Sequence, residues 1–133
     1  MLNSLIHGEA LMEILIEGAN PYADGPLTEG EQSRLQALGL RADQAQAMAI
    51  GRVVQGGRGV WVLDENRLVM LGQRDRMSVD SLPRSAVLRL EAERGRYGHT
   101  VRVHTAQARY AMYAVDPARA QALVDALQQA VAA

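Results

Sequence analysis

The sequence predicts an α+β domain: seven short antiparallel strands curled into a half-barrel, closed by a C-terminal helix and preceded by two short N-terminal helices. Three observations carry this. From about Gln46 to Val115, short apolar or alternating runs of strand character follow one another. Breaks rich in Gly, Asp and Asn separate them. From Asp116 onward the apolar spacing changes to three and four, as on one face of a helix. At 133 residues, 48% of them apolar, the chain suits one core-forming domain rather than a disordered segment.

Each element can be justified in turn. Leu5, Ile6, Met12, Leu15 and Ile16 recur at helical spacing, with Glu9, Glu13 and Glu17 on another face, and Gly18 ends that helix. Thr28 and Glu31 form a capping box for a second helix carrying Leu35 and Leu38 and ending at Gly39. These two helices place an N-terminal segment at 1–40 and the sheet domain at 41–133. The first strand reads from Ala45 to Val54, followed by the Gly-rich turn Gln55–Gly59. Val60–Leu63 and Leu68–Leu71 flank Asp64-Glu65-Asn66 as a hairpin, and a fourth strand lies around Met77–Ser81, ended by Pro83.

Strands five and six come with a register. Setting Leu90 opposite Val103 and Ala92 opposite Val101 on the core side puts Glu91 opposite Arg102 and Arg89 opposite His104 on the solvent side. Arg109–Val115 makes the seventh strand. Asp116 caps the last helix, Pro117 takes its first position, and Ala120, Leu123, Val124, Leu127 and Val131 form its apolar stripe.

Composition narrows the function classes. The chain has no Cys, so thiol nucleophiles, disulfides and Cys-based metal sites are excluded. No cation precedes the first apolar run, and three Glu interrupt it, which is unlike a signal peptide. No run approaches the roughly 18 apolar residues of a membrane span. The expectation is a cytoplasmic protein. Residues 1–50 hold two Arg and seven acids (−5), and residues 51–133 hold twelve Arg and eight acids (+4). The halves attract each other, and the basic half would also attract an anionic partner.

Catalytic motifs are missing. No serine sits in a G-x-S-x-G elbow, and His7, His99 and His104 have neither H-x-x-x-H nor H-E-x-x-H spacing. No metal or cofactor is expected. Glu91 and Glu93 have Arg89, Arg94 and Arg102 around them, which reads as an ion-pair ladder rather than an acid–base pair. Half of the arginines from Arg84 to Arg109 have an acidic neighbour and the pI is near 6.3, so nucleic acid is not an expected partner. Trp61, between apolar neighbours, reads as core. Tyr97, between Arg96 and Gly98 at a loop tip, reads as a contact residue. Arg52 and Arg58, flanking the Gly-rich turn, are the candidate anion- or lipid-binding pair.

The hairpin GVWVLDENRLVML (Gly59–Leu71), the stretch Ser81–Val87, the strand at Gly98–Val103 and the terminal helix together resemble bacterial pleckstrin-homology-like domains over about 45–131. The hairpin is similar to that family's G-x-x-x-L-T-x-x-R-L-I-x-L pattern. Phosphoinositide-binding members carry a basic motif across the first two strands. Here Arg52 and Arg58 stand in it, Val60 occupies a further cation's place, and the helix 116–131 has no Trp. The resemblance therefore implies protein interaction or assembly rather than specific inositol-phosphate binding. Leu11–Gly18, Leu27–Glu31 and Leu35–Leu38 also resemble a short helical oligomerisation motif found beside such domains.

The expected function is thus a non-catalytic binding or assembly module for a protein partner or a second copy. Its interaction surface would be the face of Leu5, Ile6, Met12, Leu15 and Ile16, together with Tyr97. That helical face either covers the barrel or packs on another chain. A peripheral anionic-lipid or anion binder, and an enzyme using His99 or His104 as base, are the rival classes.

Overall fold

Alternation and turn chemistry produce the expected strands with small changes at their ends. The computed structural model describes residues 27–40, 45–53, 57–73 and 77–132. Within these, helix α1 spans Glu29–Ala37, β1 Ala47–Arg52, β2 Arg58–Leu63, β3 Arg67–Gln73 and β4 Met77–Pro83. A 3-10 turn at Arg84–Ala86 leads to β5 Arg89–Arg94, β6 His99–His104, β7 Arg109–Val115 and helix α2 Pro117–Ala132. The first expected helix, with Leu5, Ile6, Met12, Leu15 and Ile16, lies outside the described residues.

The strands form one open antiparallel sheet in the order β4-β3-β2-β1-β7-β6-β5. Among the described residues, β1 and β7 share the register pair Arg52 with Tyr113. Beyond that seam the sheet folds over, so that Trp61, Met70, Val101, Val103 and Met112 join Leu123 and Leu127 of α2 in one core. Asp116 starts α2, its carboxylate accepting from the Ala118 and Arg119 amides at 3.1 and 3.2 Å. The expected β5–β6 register is present: Leu90 faces Val103, Ala92 faces Val101, Glu91 faces Arg102 and Arg89 faces His104.

An antiparallel sheet normally leaves one face to water. Strands β1–β3 do not. Ile50, Val60, Val62, Val69 and Leu71 point away from α2 into a second core with Leu35 and Leu40. Helix α1 is the cover. Its capping box is complete, with Glu31 N–H donating to Thr28 Oγ1 at 3.1 Å and Thr28 N–H to Glu31 Oε1 at 2.9 Å. Gly39, at φ +82°, lets the Leu40 amide turn back to the Leu35 carbonyl at 2.8 Å, which drops Leu40 beside Leu35. Arg67 donates to the Leu38 carbonyl and fixes the end of the helix to β3.

Arg84 ties three parts of the fold together. Its Nη1 donates to Gln46 Oε1 at 2.6 Å and to the Asp64 carbonyl at 2.8 Å, and its Nη2 to the Ala126 carbonyl at 2.7 Å. The 3-10 turn is thereby joined to the start of β1, the β2–β3 hairpin and α2. Arg84→Ala is expected to cost about 2–4 kcal/mol, because three charge-assisted bonds go and half-buried carbonyls lose their donor. A thermal melt should show a fall in Tm of roughly 10 °C, and an unchanged Tm would refute the role.

Candidate functional site

The two arginines that flank the first turn are opposite each other, Arg52 with Arg58 in the β1–β2 register. Like charges in that position repel, and the chain supplies an anion. Glu31 reaches in from α1 and receives Arg58 Nε at 2.7 Å on Oε2 and Nη2 at 3.1 Å on Oε1. Its carboxylate is almost fully buried, at 2% exposure. A bidentate guanidinium–carboxylate pair of this kind is strong and directional. The Gly-rich turn therefore begins beside an arginine whose fork is already held from within. The signal in the sequence was the capping-box glutamate, read only as a cap.

Tyr97 lies half-buried at the β5–β6 turn against Tyr113 and Ala114 on the outer face. The Arg96 guanidinium stands 5.4 Å from its ring centre. Burial pushes the Tyr113 phenol above its ordinary range, with Arg102 opposing.

The outer ladder of β5 and β6 pairs diagonally rather than straight across. His104 Nε2 meets Glu91 Oε1 at 2.8 Å, and Arg102 Nη1 meets Glu93 Oε2 at 2.6 Å. The hydrogen bond from His104 holds the Glu91 carboxyl below its ordinary value of 4.5; desolvation works against it, and the charges of Arg89 and His104 add to it. Glu91 is then harder to protonate folded than unfolded. Its contribution to stability is complete above about pH 4.5 and is lost as pH falls through the lowered value. Glu91→Gln is expected to lower the neutral Tm slightly, leave the Tm well below about pH 4.5 unchanged, and so flatten the acid side of the Tm–pH profile; identical acid limbs would refute it. This histidine–carboxylate pair sits on the outer face. His99 has a buried Nδ1 with no hydrogen-bond partner among the described residues and is not among those lining the cavity beside β4 and β7.

A cavity of about 290 Å³ lies between β4 and β7, over β2 and β3. Trp61, Met70, Val53 and Leu71 are among the residues that line it. Ser78 and Asp80 of β4 border it on one side, and the Arg109–Ala111 stretch of β7 on the other. Gly72 keeps it clear, since a Cβ there would stand 3.1 Å from Ser78 Oγ. Neither Asp80 nor Arg109 makes an ion pair or side-chain hydrogen bond among the described residues. Two opposite charges, without a partner among the described residues, thus border a recess that Trp61 and Met70 help to line.

Sequence reading weighed Arg109 only within the arginine cluster and did not single out Asp80. Because α1 makes the outer face of β1–β3 apolar, Val79 packs there with Leu71, and Ser78 and Asp80 turn to the cavity. Among the described residues, no three His, Asp or Glu are grouped to hold a metal ion, and no helix is long and apolar enough to cross a membrane. In comparisons with known proteins, no protein-family model and no curated protein matches the chain.

Proposed function

We propose that the chain is a non-catalytic binding module of pleckstrin-homology-like architecture that takes a protein partner, or a second copy of itself, at the cavity between β4 and β7. The cavity carries this reading. Its 290 Å³ lies at the bottom of the roughly 300–1,000 Å³ range of small-molecule pockets, which suits one large side chain better than a bulky cofactor. The order of seven strands followed by a helix on the inner face supports the family likeness. His104 and Glu91 stand outside the cavity, which favours binding over acid–base chemistry. A cytoplasmic setting fits the Cys-free composition.

The test is comparative co-purification from a lysate, with wild-type chain against Asp80→Arg/Arg109→Glu. A protein enriched by the wild type and lost from the charge-swapped variant supports the reading. An unchanged set of captured proteins overturns it. Light scattering of the same two chains reads self-association in the same way. The second reading, an anionic-lipid or other anion binder at Arg52 and Arg58, rests on their opposed register. Such an anion would have to compete with Glu31 for Arg58. Co-sedimentation with phosphatidylserine vesicles at low salt, stronger for Glu31→Gln than for wild type, is its expected result.

A further inference from the structure

We propose that the group the partner places in the cavity is an arginine side chain, its guanidinium held by Asp80 and Ser78 and its methylene stem lying along Met70. This rests on the cavity being the partner's site and names what enters it. Trp61 pairs with Met70, and Met70 with Asp80. Directly opposed residues of an antiparallel sheet share a face, so an aromatic ring, a thioether and a carboxylate stand in one row across β2, β3 and β4. Leu82, two residues beyond Asp80, packs in the inner core, and Val79, between Ser78 and Asp80, packs in the outer one. Alternation thus puts Ser78 and Asp80 on the inner side, where both line the cavity.

These two groups make an accepting wall. The Ser78 hydroxyl donates to the Gly72 carbonyl at 3.2 Å, which uses its proton and leaves its lone pairs for a donor. An ionised carboxylate only accepts. Among the described residues no cation pairs with Asp80, and the residue is exposed. A group that matches such a wall carries positive charge and several N–H donors, and an apolar stem to lie beside Met70. Arginine has all three. Its planar fork meets a carboxylate with two parallel bonds, keeps further N–H groups for the hydroxyl, and is less strongly hydrated than an ammonium. Residues two positions apart on a strand are about 7 Å apart, a gap that one guanidinium can bridge between Asp80 and Ser78. Arg109, on the β7 side of the cavity, suits an acidic residue elsewhere on the same partner surface.

Blocked single residues test this. The probe is acetyl-arginine-methylamide, with acetyl-citrulline-methylamide as its uncharged isostere. The chain's single Trp, Trp61, is one reporter, and the amide resonances of Ser78 and Asp80 are the other. The arginine probe is expected to shift those resonances and change the Trp61 emission saturably at millimolar concentration. Citrulline should bind at least ~10-fold more weakly, about 1.4 kcal/mol. Asp80→Asn should weaken the arginine probe by the same factor at an unchanged Tm. Arg109→Gln should leave the probe's affinity unchanged or tighten it, because a like charge is removed. Three results overturn the arginine assignment: no saturable change in either signal up to about 10 mM (a ceiling near −2.7 kcal/mol), equal binding of citrulline, or a loss on Arg109→Gln as large as on Asp80→Asn. If the charge-swapped chain still loses its co-purified protein, the cavity remains the binding site and only the inserted group is wrong. If both tests fail, the cavity reading fails with it.

Discussion

Removing residues 1–40 is expected to give a chain that aggregates or fails to fold. The deletion takes away Leu35 and Leu40, each at most 3% exposed, and uncovers Ile50, Val60, Val62, Val69 and Leu71 on the outer face of β1–β3. Each large apolar side chain returned to water costs roughly 1.5–3 kcal/mol. Several of them together rival a whole domain's net stability of about 5–15 kcal/mol. Arg58 loses Glu31 as well and is left facing Arg52. The apolar surface so exposed is of the kind that drives association. Size exclusion with light scattering, together with a thermal melt, reads the outcome. A monomeric truncated chain with the parent Tm would show that α1 is dispensable. Leu35→Ala should show the same direction at about 2–5 kcal/mol, which separates lost packing from lost chain length.

Gly51→Ala is the second large effect. A Cβ at this position would stand 2.4 Å from the Tyr113 carbonyl oxygen and 2.9 Å from both Met112 Cγ and Val115 Cγ2. The first is backbone and cannot rotate aside. The collision falls one residue from the Arg52–Tyr113 pair that joins β1 to β7. Relief means parting the two strands, so the loss should reach about 3 kcal/mol or more. Glycine has a positional purpose here, as at other close approaches of two strands. Gly30 is the built-in comparison: a Cβ there meets only Thr28 Oγ1, at 4.0 Å. Gly30→Ala, in an exposed helix turn, should be neutral or slightly stabilising. Equal Tm values for the two variants would refute the account.

The sheet was legible because its signals are local. Alternation in Leu90–Glu93 and Thr100–His104 fixes face, and face fixes register, so those four cross-strand pairs stand as expected. The capping box and Asp116 were legible for the same reason. What needed three dimensions was any pairing between distant segments. Glu31 meets Arg58 across 27 positions, and Arg84 reaches Ala126 across 42. Side-chain length explains the diagonal ladder: Arg102 extends past Glu91, its direct neighbour, to Glu93. The inward turn of Asp80 was hidden by the second core, which inverts the usual link between apolar and inward.

The seam between β1 and β7 bears on how the chain acquires its structure. Each hairpin joins neighbours in sequence and can close early, in microseconds, at small entropic cost. The seam joins residues at opposite ends of the sheet sequence, so closing it costs far more loop entropy than closing a hairpin. Assembly should thus proceed as two independent meanders, β1–β4 and β5–β7, that dock late. Substitutions at the seam such as Gly51→Ala should then mainly accelerate unfolding. Substitutions within a hairpin should mainly slow refolding.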